Sequence, residues 1–176
     1  MSIIDFELSN NSTIKINNSD FDLKALENLH SILKSLSQKN KVEKINIIGN
    51  FNTQLLVDNI FTKKKYDKLN EILLLLQTIT KTIEDSNIIY TACIDNLVQG
   101  PALEIAMSCN FIKAKIGTTL NFNFTNHEQI PFFGTIQRII RILGYKKALE
   151  ILLINKTLNF KEANNLNIIN NTIDNT

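Results

Sequence analysis

The chain has 176 residues, 44% of them hydrophobic and 20% charged, which fits one globular domain with a sizeable core. A net charge of +2 gives no basis for nucleic-acid binding, and the longest apolar run, residues 72–76, is far too short to span a membrane. No N-terminal stretch has the charged-then-apolar layout of a signal peptide, so a cytoplasmic protein is expected.

Residues 3–8 and 13–16 are β-like runs around Ser9-Asn10-Asn11-Ser12, which predicts an opening hairpin. Asp20 or Asp22 can cap the helix that follows. Its apolar stripe is Leu26, Leu29, Leu33 and Leu36, with Ile32 beside it and His30 packed at the edge. Residues 45–48 form a short strand ending at Gly49, and residues 50–56 a loop or the start of a helix. Lys63-Lys64-Lys65 is the one dense basic cluster. Tyr66, Leu69, Ile72, Leu73, Leu76, Ile79 and Ile83 mark a second long amphipathic helix.

Residues 87–94 are continuously apolar, as expected of a strand covered on both faces. Pro101 suits the first turn of a helix running to about residue 108, because its missing N–H would be unpaired there anyway. Cys93 and Cys109 have no metal-ligand spacing around them and read as buried small hydrophobes in a reducing compartment. Residues 111–116 and 119–123 are strand-like, with Gly117 between them. Residues 135–143 and 145–154 are helical, broken by Gly144. A last short helix covers residues 161–166, a last apolar run residues 166–169, and a polar tail begins at residue 171. Helices alternating with strands of this kind predict a single layered α/β domain over residues 1–170.

Several segments carry a more specific signal. The strand at 88–94 is followed by Gln99-Gly100-Pro101-Ala102-Leu103-Glu104-Ile105-Ala106. Further on come Ile130-Pro131-Phe132-Phe133-Gly134-Thr135-Ile136-Gln137-Arg138 and Gly144-Tyr145-Lys146-Lys147-Ala148-Leu149-Glu150. In order and spacing these resemble the second half of an enoyl-CoA hydratase/isomerase (crotonase) domain. The resemblance is strong over residues 87–170 and weak before. It implies a layered ββα spiral core of the ClpP/crotonase type, lacking most of the C-terminal helical region. A coenzyme A thioester is the implied ligand; no metal or other cofactor is implied. A homo-oligomer or a protein partner is implied by apolar surface left uncovered.

The resemblance also assigns roles. Glu104 stands where the family places a glutamate that positions or activates water; on its own terms it is an early-helix glutamate favoured by the helix dipole. Pro101 falls where a glycine N–H forms half of the family's oxyanion hole, and proline has no N–H to give. A shift of one residue would return that role to Gly100 or Ala102. The other half of the hole comes from the loop after the earlier strand, which here reads Asn50-Phe51-Asn52-Thr53-Gln54 and lacks the usual Ala-Gly-x-Asp motif. An N–H from residues 52–55 would have to serve.

The second catalytic carboxylate falls on Phe124, which moves no proton. His127 and Glu128 are the nearby substitutes, although a loop histidine is more often solvated. Phe132 and Phe133 either fill the acyl pocket or join the core. Lys63, Lys64 and Lys65 either meet the phosphates of coenzyme A or remain solvated. Three uses of the chain follow: a binding or partner subunit without hydratase chemistry, an acyl-CoA isomerase, decarboxylase or hydratase-like lyase working through Glu104, or an unrelated use of the same fold.

Overall fold

The computed structural model describes residues 6–9, 12–17, 20–38, 42–55, 66–122 and 134–173. The opening hairpin pairs β1 (Phe6–Ser9) with β2 (Thr13–Ile16) in antiparallel register, Leu8 opposite Ile14. After the two-residue β3 (Asp20–Phe21), α1 (Leu23–Ser37) begins at Asp22, whose side chain accepts the Ala25 N–H at 2.8 Å. Asp22 is therefore the cap, not Asp20. The helix buries Leu26, Leu29, Leu33 and Leu36, one stripe at helical spacing, with Ile32 and His30 half-buried beside it.

Next come β4 (Lys44–Gly49), the short β5 (Gln54–Leu55), α2 (Tyr66–Glu84) and β6 (Ile89–Ile94). The chain continues through β7 (Leu97–Val98), α3 (Gly100–Ser108), β8 (Phe111–Ala114) and β9 (Thr119–Asn121). It closes with α4 (Thr135–Leu143), α5 (Tyr145–Leu153), β10 (Thr157–Asn159), α6 (Phe160–Asn165) and β11 (Asn171–Thr172).

The main sheet has the order β1-β2-β4-β6-β8-β11 and is parallel beyond the first hairpin. The β4 and β6 strands sit at its centre, with Ile45 opposite Tyr90 and Ile47 opposite Ala92. A second sheet, β10-β9-β7, and a small pair, β3-β5, lie outside it. The strand-like residues on either side of Gly117 thus separate into two sheets: β8 joins the main one, and β9 pairs with β7 and β10. The polar end of the chain supplies β11, parallel to β8.

One core joins the inward residues Ile14, Ile16, Ile45, Ile47, Tyr90, Ala92, Ile94, Ile112 and Ala114 to the stripes of α1 and α2 and to the whole of α3. The expectation that β6 is covered on both faces does not hold. Its burial alternates: Ile89 is 38% exposed, and Phe111, opposite Thr91 on the neighbouring strand, is 44% exposed. Among the described residues the helical stripes fill one face of the sheet, which leaves the other partly open. An apolar composition fixes what a strand tolerates, not what covers it.

Two side chains fasten strand starts that the ladder leaves unpaired. Asn110 Oδ1 accepts the Tyr90 N–H at 2.8 Å, and Asn170 Oδ1 accepts the Ile112 N–H at 2.8 Å. Cys93 and Cys109 are partly exposed rather than fully buried, and are not bonded to each other. Burial pushes both thiols upward, so neither is a ready nucleophile at neutral pH.

The assignment of the α1 cap yields a direct prediction. Asp22→Ala should destabilise the protein by about 0.5–2 kcal/mol, read from the midpoint of urea unfolding. An unchanged midpoint would show that the Asp22 side chain does not hold the start of α1.

Candidate functional site

The site is built around the first turns of α3 and the loop that follows β4. That loop leaves the sheet at Gly49, whose φ is +110 and whose pro-side-chain direction points into the Ile16 backbone, so only glycine fits. Residues 50–53 then run alongside residue 99. Gln99 N–H donates to Phe51 O at 2.9 Å, and Asn52 and Gln99 form a parallel bridge. The Gln99 side chain donates to Asn52 Oδ1 at 2.8 Å and accepts from Asn121 Nδ2 at 2.8 Å.

Thr53 closes the junction. Its N–H and its hydroxyl both donate to Gln99 O, at 3.4 and 3.1 Å. The same hydroxyl oxygen accepts the Ala102 N–H at 2.9 Å. Gln99 is the residue before the helix, yet its own side chain makes no capping bond to α3. Thr53, far away in sequence, takes the acceptor role that a capping residue normally fills. Gly100 adopts φ +65, and a Cβ there would run into the Thr53 carbonyl oxygen. Glycine thus serves a left-handed conformation and a close backbone approach at once.

The three turn residues singled out by sequence are therefore used as follows. Gly100 allows the loop contact, Pro101 opens the helix without an N–H, and Ala102 gives its N–H to Thr53. On the opposing loop, Asn52 N–H donates to Asn50 Oδ1 at 3.0 Å and Thr53 N–H to Gln99 O. Gln54 and Leu55 pair as β5 with β3.

Every residue of α3 is buried, including Glu104 at 3% exposure. Its Oε2 accepts the Thr135 hydroxyl at 2.8 Å. Thr135 is the first residue of α4, and the preceding Gly134, at φ +85, has no side chain with which to cap it. A carboxylate at that end meets the positive pole of the α4 dipole. The dipole that favours Glu104 is thus that of α4; Glu104 is not in the first turn of α3. A second bond pins α4 from its other side. The buried Arg138 donates from Nε and Nη2 to both oxygens of Glu84, at 3.0 and 2.9 Å, and ties α4 to the end of α2.

Phe124, His127, Glu128, Phe132, Phe133 and the Lys63, Lys64, Lys65 run lie outside the described residues. Among the described residues no group of three or more His, Cys, Asp or Glu side chains gathers as a metal site, and no helix is long and apolar enough to cross a membrane. Sequence reasoning missed Thr53, Thr135, Arg138 and Glu84. Each acts across 31 or more residues, and no local pattern marks such a partner. An open cleft of about 530 Å³ lies at the far end of α3, beside Glu84, Arg138, Arg141 and Ile142.

No family model matches the chain. Over 148 residues it is 26% identical to the peroxisomal fatty acid beta-oxidation multifunctional protein AIM1 of Arabidopsis thaliana, covering 82% of this chain and 20% of that protein. Over 97 residues it is 35% identical to the glyoxysomal fatty acid beta-oxidation multifunctional protein MFP-a of Cucumis sativus, covering 53% of this chain and 13% of that one. The chain thus spans a fifth or less of the length of these relatives. Among solved structures, the enoyl-CoA hydratase of Bacillus halodurans superposes with a TM-score of 0.83 at 18% identity, covering 97% of this chain and 73% of that one.

The Glu104–Thr135 bond can be tested by itself. Thr135→Val keeps the volume and removes the donor from a buried carboxylate, and should cost about 1–3 kcal/mol in denaturant unfolding. In a Glu104→Gln background the same substitution should cost measurably less, since the charge is gone; equal costs in the two backgrounds would show no coupling between the residues.

Proposed function

Since this chain is a divergent member of the enoyl-CoA hydratase/isomerase (crotonase) family with that family's fold, we propose that it serves as an acyl-CoA-binding or partner subunit without hydratase activity. One observation carries the reading. Two of the α3 amides that the family resemblance would aim at a thioester oxygen are not available: Pro101 has none, and Ala102 N–H is held by Thr53. Acyl chemistry needs donors aimed at the oxygen where charge develops, and loss of one such donor typically costs a factor of about 10²–10³ in rate.

Two further features support it. Phe124 stands at the second carboxylate position and supplies neither acid nor base. Ile136, Ile142, Tyr145, Leu153 and Ile154 are exposed on α4, α5 and the turn after them, an apolar surface suited to burial against a protein, either a second copy or another subunit. The two free thiols fit a reducing compartment, which is the cytoplasm in this reading.

The retained Glu104 favours a second reading. A carboxylate held by Thr135 is enough either to carry a proton from one carbon of a dienolate to another, which is isomerisation, or to protonate the enolate carbon left when a C–C bond breaks and CO2 departs, which is decarboxylation; neither is hydration.

Calorimetric titration with crotonyl-CoA, together with assays of hydration, of enoyl-CoA double-bond isomerisation and of acyl-CoA decarboxylation on the same preparation, separates these outcomes. The subunit reading predicts micromolar binding and no hydration above the uncatalysed rate. Turnover that Glu104→Gln abolishes would establish the second reading. No binding at millimolar ligand would remove both acyl-CoA readings.

A further inference from the structure

The oxyanion half-site on α3 is blocked rather than erased. Proline at position 101 removes one N–H, but the next amide, that of Ala102, lies in the same first turn and is a competent donor. What occupies it is an oxygen: the Thr53 hydroxyl, 2.9 Å away, buried, and held in place because it donates at 3.1 Å to Gln99 O. A hydroxyl oxygen accepting a backbone N–H at the head of a buried helix has the same hydrogen-bonding role as the carbonyl oxygen of a thioester. The Thr53 side chain therefore stands where such an oxygen would be received.

We propose that Thr53 is a built-in competitor for an acyl carbonyl, and that its side chain keeps a carbonyl-binding position on Ala102 closed. The proposal rests on the reading that acyl thioesters are the ligand class, and it names the residue that sets their affinity. Gln99 makes the closure strong. It receives both Thr53 donors at its carbonyl, gives its own N–H to Phe51 O, and is clamped through its side chain by Asn52 and Asn121. The plug is also local: the remaining bonds of this junction run between backbone groups, or through Gln99, and do not need the Thr53 hydroxyl.

A ligand entering the wild-type protein must break the Thr53–Ala102 bond before it can make its own. A bond of this kind is worth about 1 kcal/mol net, which corresponds to about fivefold to tenfold in affinity. Removal of the hydroxyl spares the ligand that cost.

The test is titration of wild type, Thr53→Ser and Thr53→Ala with crotonyl-CoA, and in parallel with free coenzyme A, which has no acyl carbonyl. Thr53→Ala should bind crotonyl-CoA about fivefold to tenfold more tightly than wild type and Thr53→Ser, which keeps the hydroxyl, while all three bind coenzyme A alike. If Thr53→Ala fails to fold, Thr53→Val keeps the volume without the hydroxyl and should show the gain. Equal crotonyl-CoA affinity in the hydroxyl-bearing and hydroxyl-free forms overturns the proposal, as does a gain of the same size for free coenzyme A. If no form binds either compound, the acyl-CoA reading itself fails and takes the plug with it; coenzyme A binding without a carbonyl-dependent gain defeats the plug alone.

Discussion

The structure depends on a junction between the loop after β4 and the start of α3, in which backbone and Gln99 bonds set the approach and the Thr53 hydroxyl satisfies Ala102. Thr53 Oγ1 donates to Gln99 O and accepts from Ala102 N–H, so it bonds the last residue before α3 and the third residue within it. The α3 helix is buried along its whole length, so the groups at its start cannot be left to water. Its own flanking residue offers no side-chain cap, and Pro101 removes one of the amides needing a partner. The rest follows from meeting that demand from a distance. The loop after β4 must come close, Gly49 must let it start tight against the Ile16 backbone, and Gly100 must let Thr53 touch.

Further along α3 the same need for remote satisfaction recurs. Glu104 is a buried acid, which is tolerable only with hydrogen-bond donors at hand. It finds one in Thr135 at the start of α4, a helix whose own N-cap is a glycine. Arg138, one turn on, is equally buried and is matched bidentately by Glu84. These two pairs orient α4 against α2 and α3, and so decide where its outer apolar residues Ile136 and Ile142 face. A residue type suited to proton transfer is here also part of how two helices are joined.

The sequence made the large elements plain because their causes are local. The Leu26, Leu29, Leu33, Leu36 stripe, the apolar run before Asp95 and the Gly100-Pro101 helix start all express periodicity or backbone restriction within a few residues. The crotonase resemblance over residues 87–170 likewise rested on spacing within one stretch, and the spiral fold accords with it. The two-residue strands β3, β5 and β7 carry no pattern long enough to see, and exist because the chain passes beside a partner. The open face of β6 was hidden for a related reason: Ile89 and Cys93 are apolar whether or not anything covers them. Thr53 was the most opaque of all. A threonine in a polar loop looks solvated, and only the approach of residues 99–102, 46 to 49 positions on, gives its hydroxyl work.

The measurement closest to the centre of this account is hydrogen–deuterium exchange at the Ala102 amide in the unliganded protein. With its hydrogen held by Thr53 inside a closed junction, this amide should exchange only through global unfolding, as slowly as the β4 and β6 amides at the middle of the main sheet. Exchange as fast as that of exposed loop amides would contradict it, for it would mean that the start of α3 stands open and its donor is free.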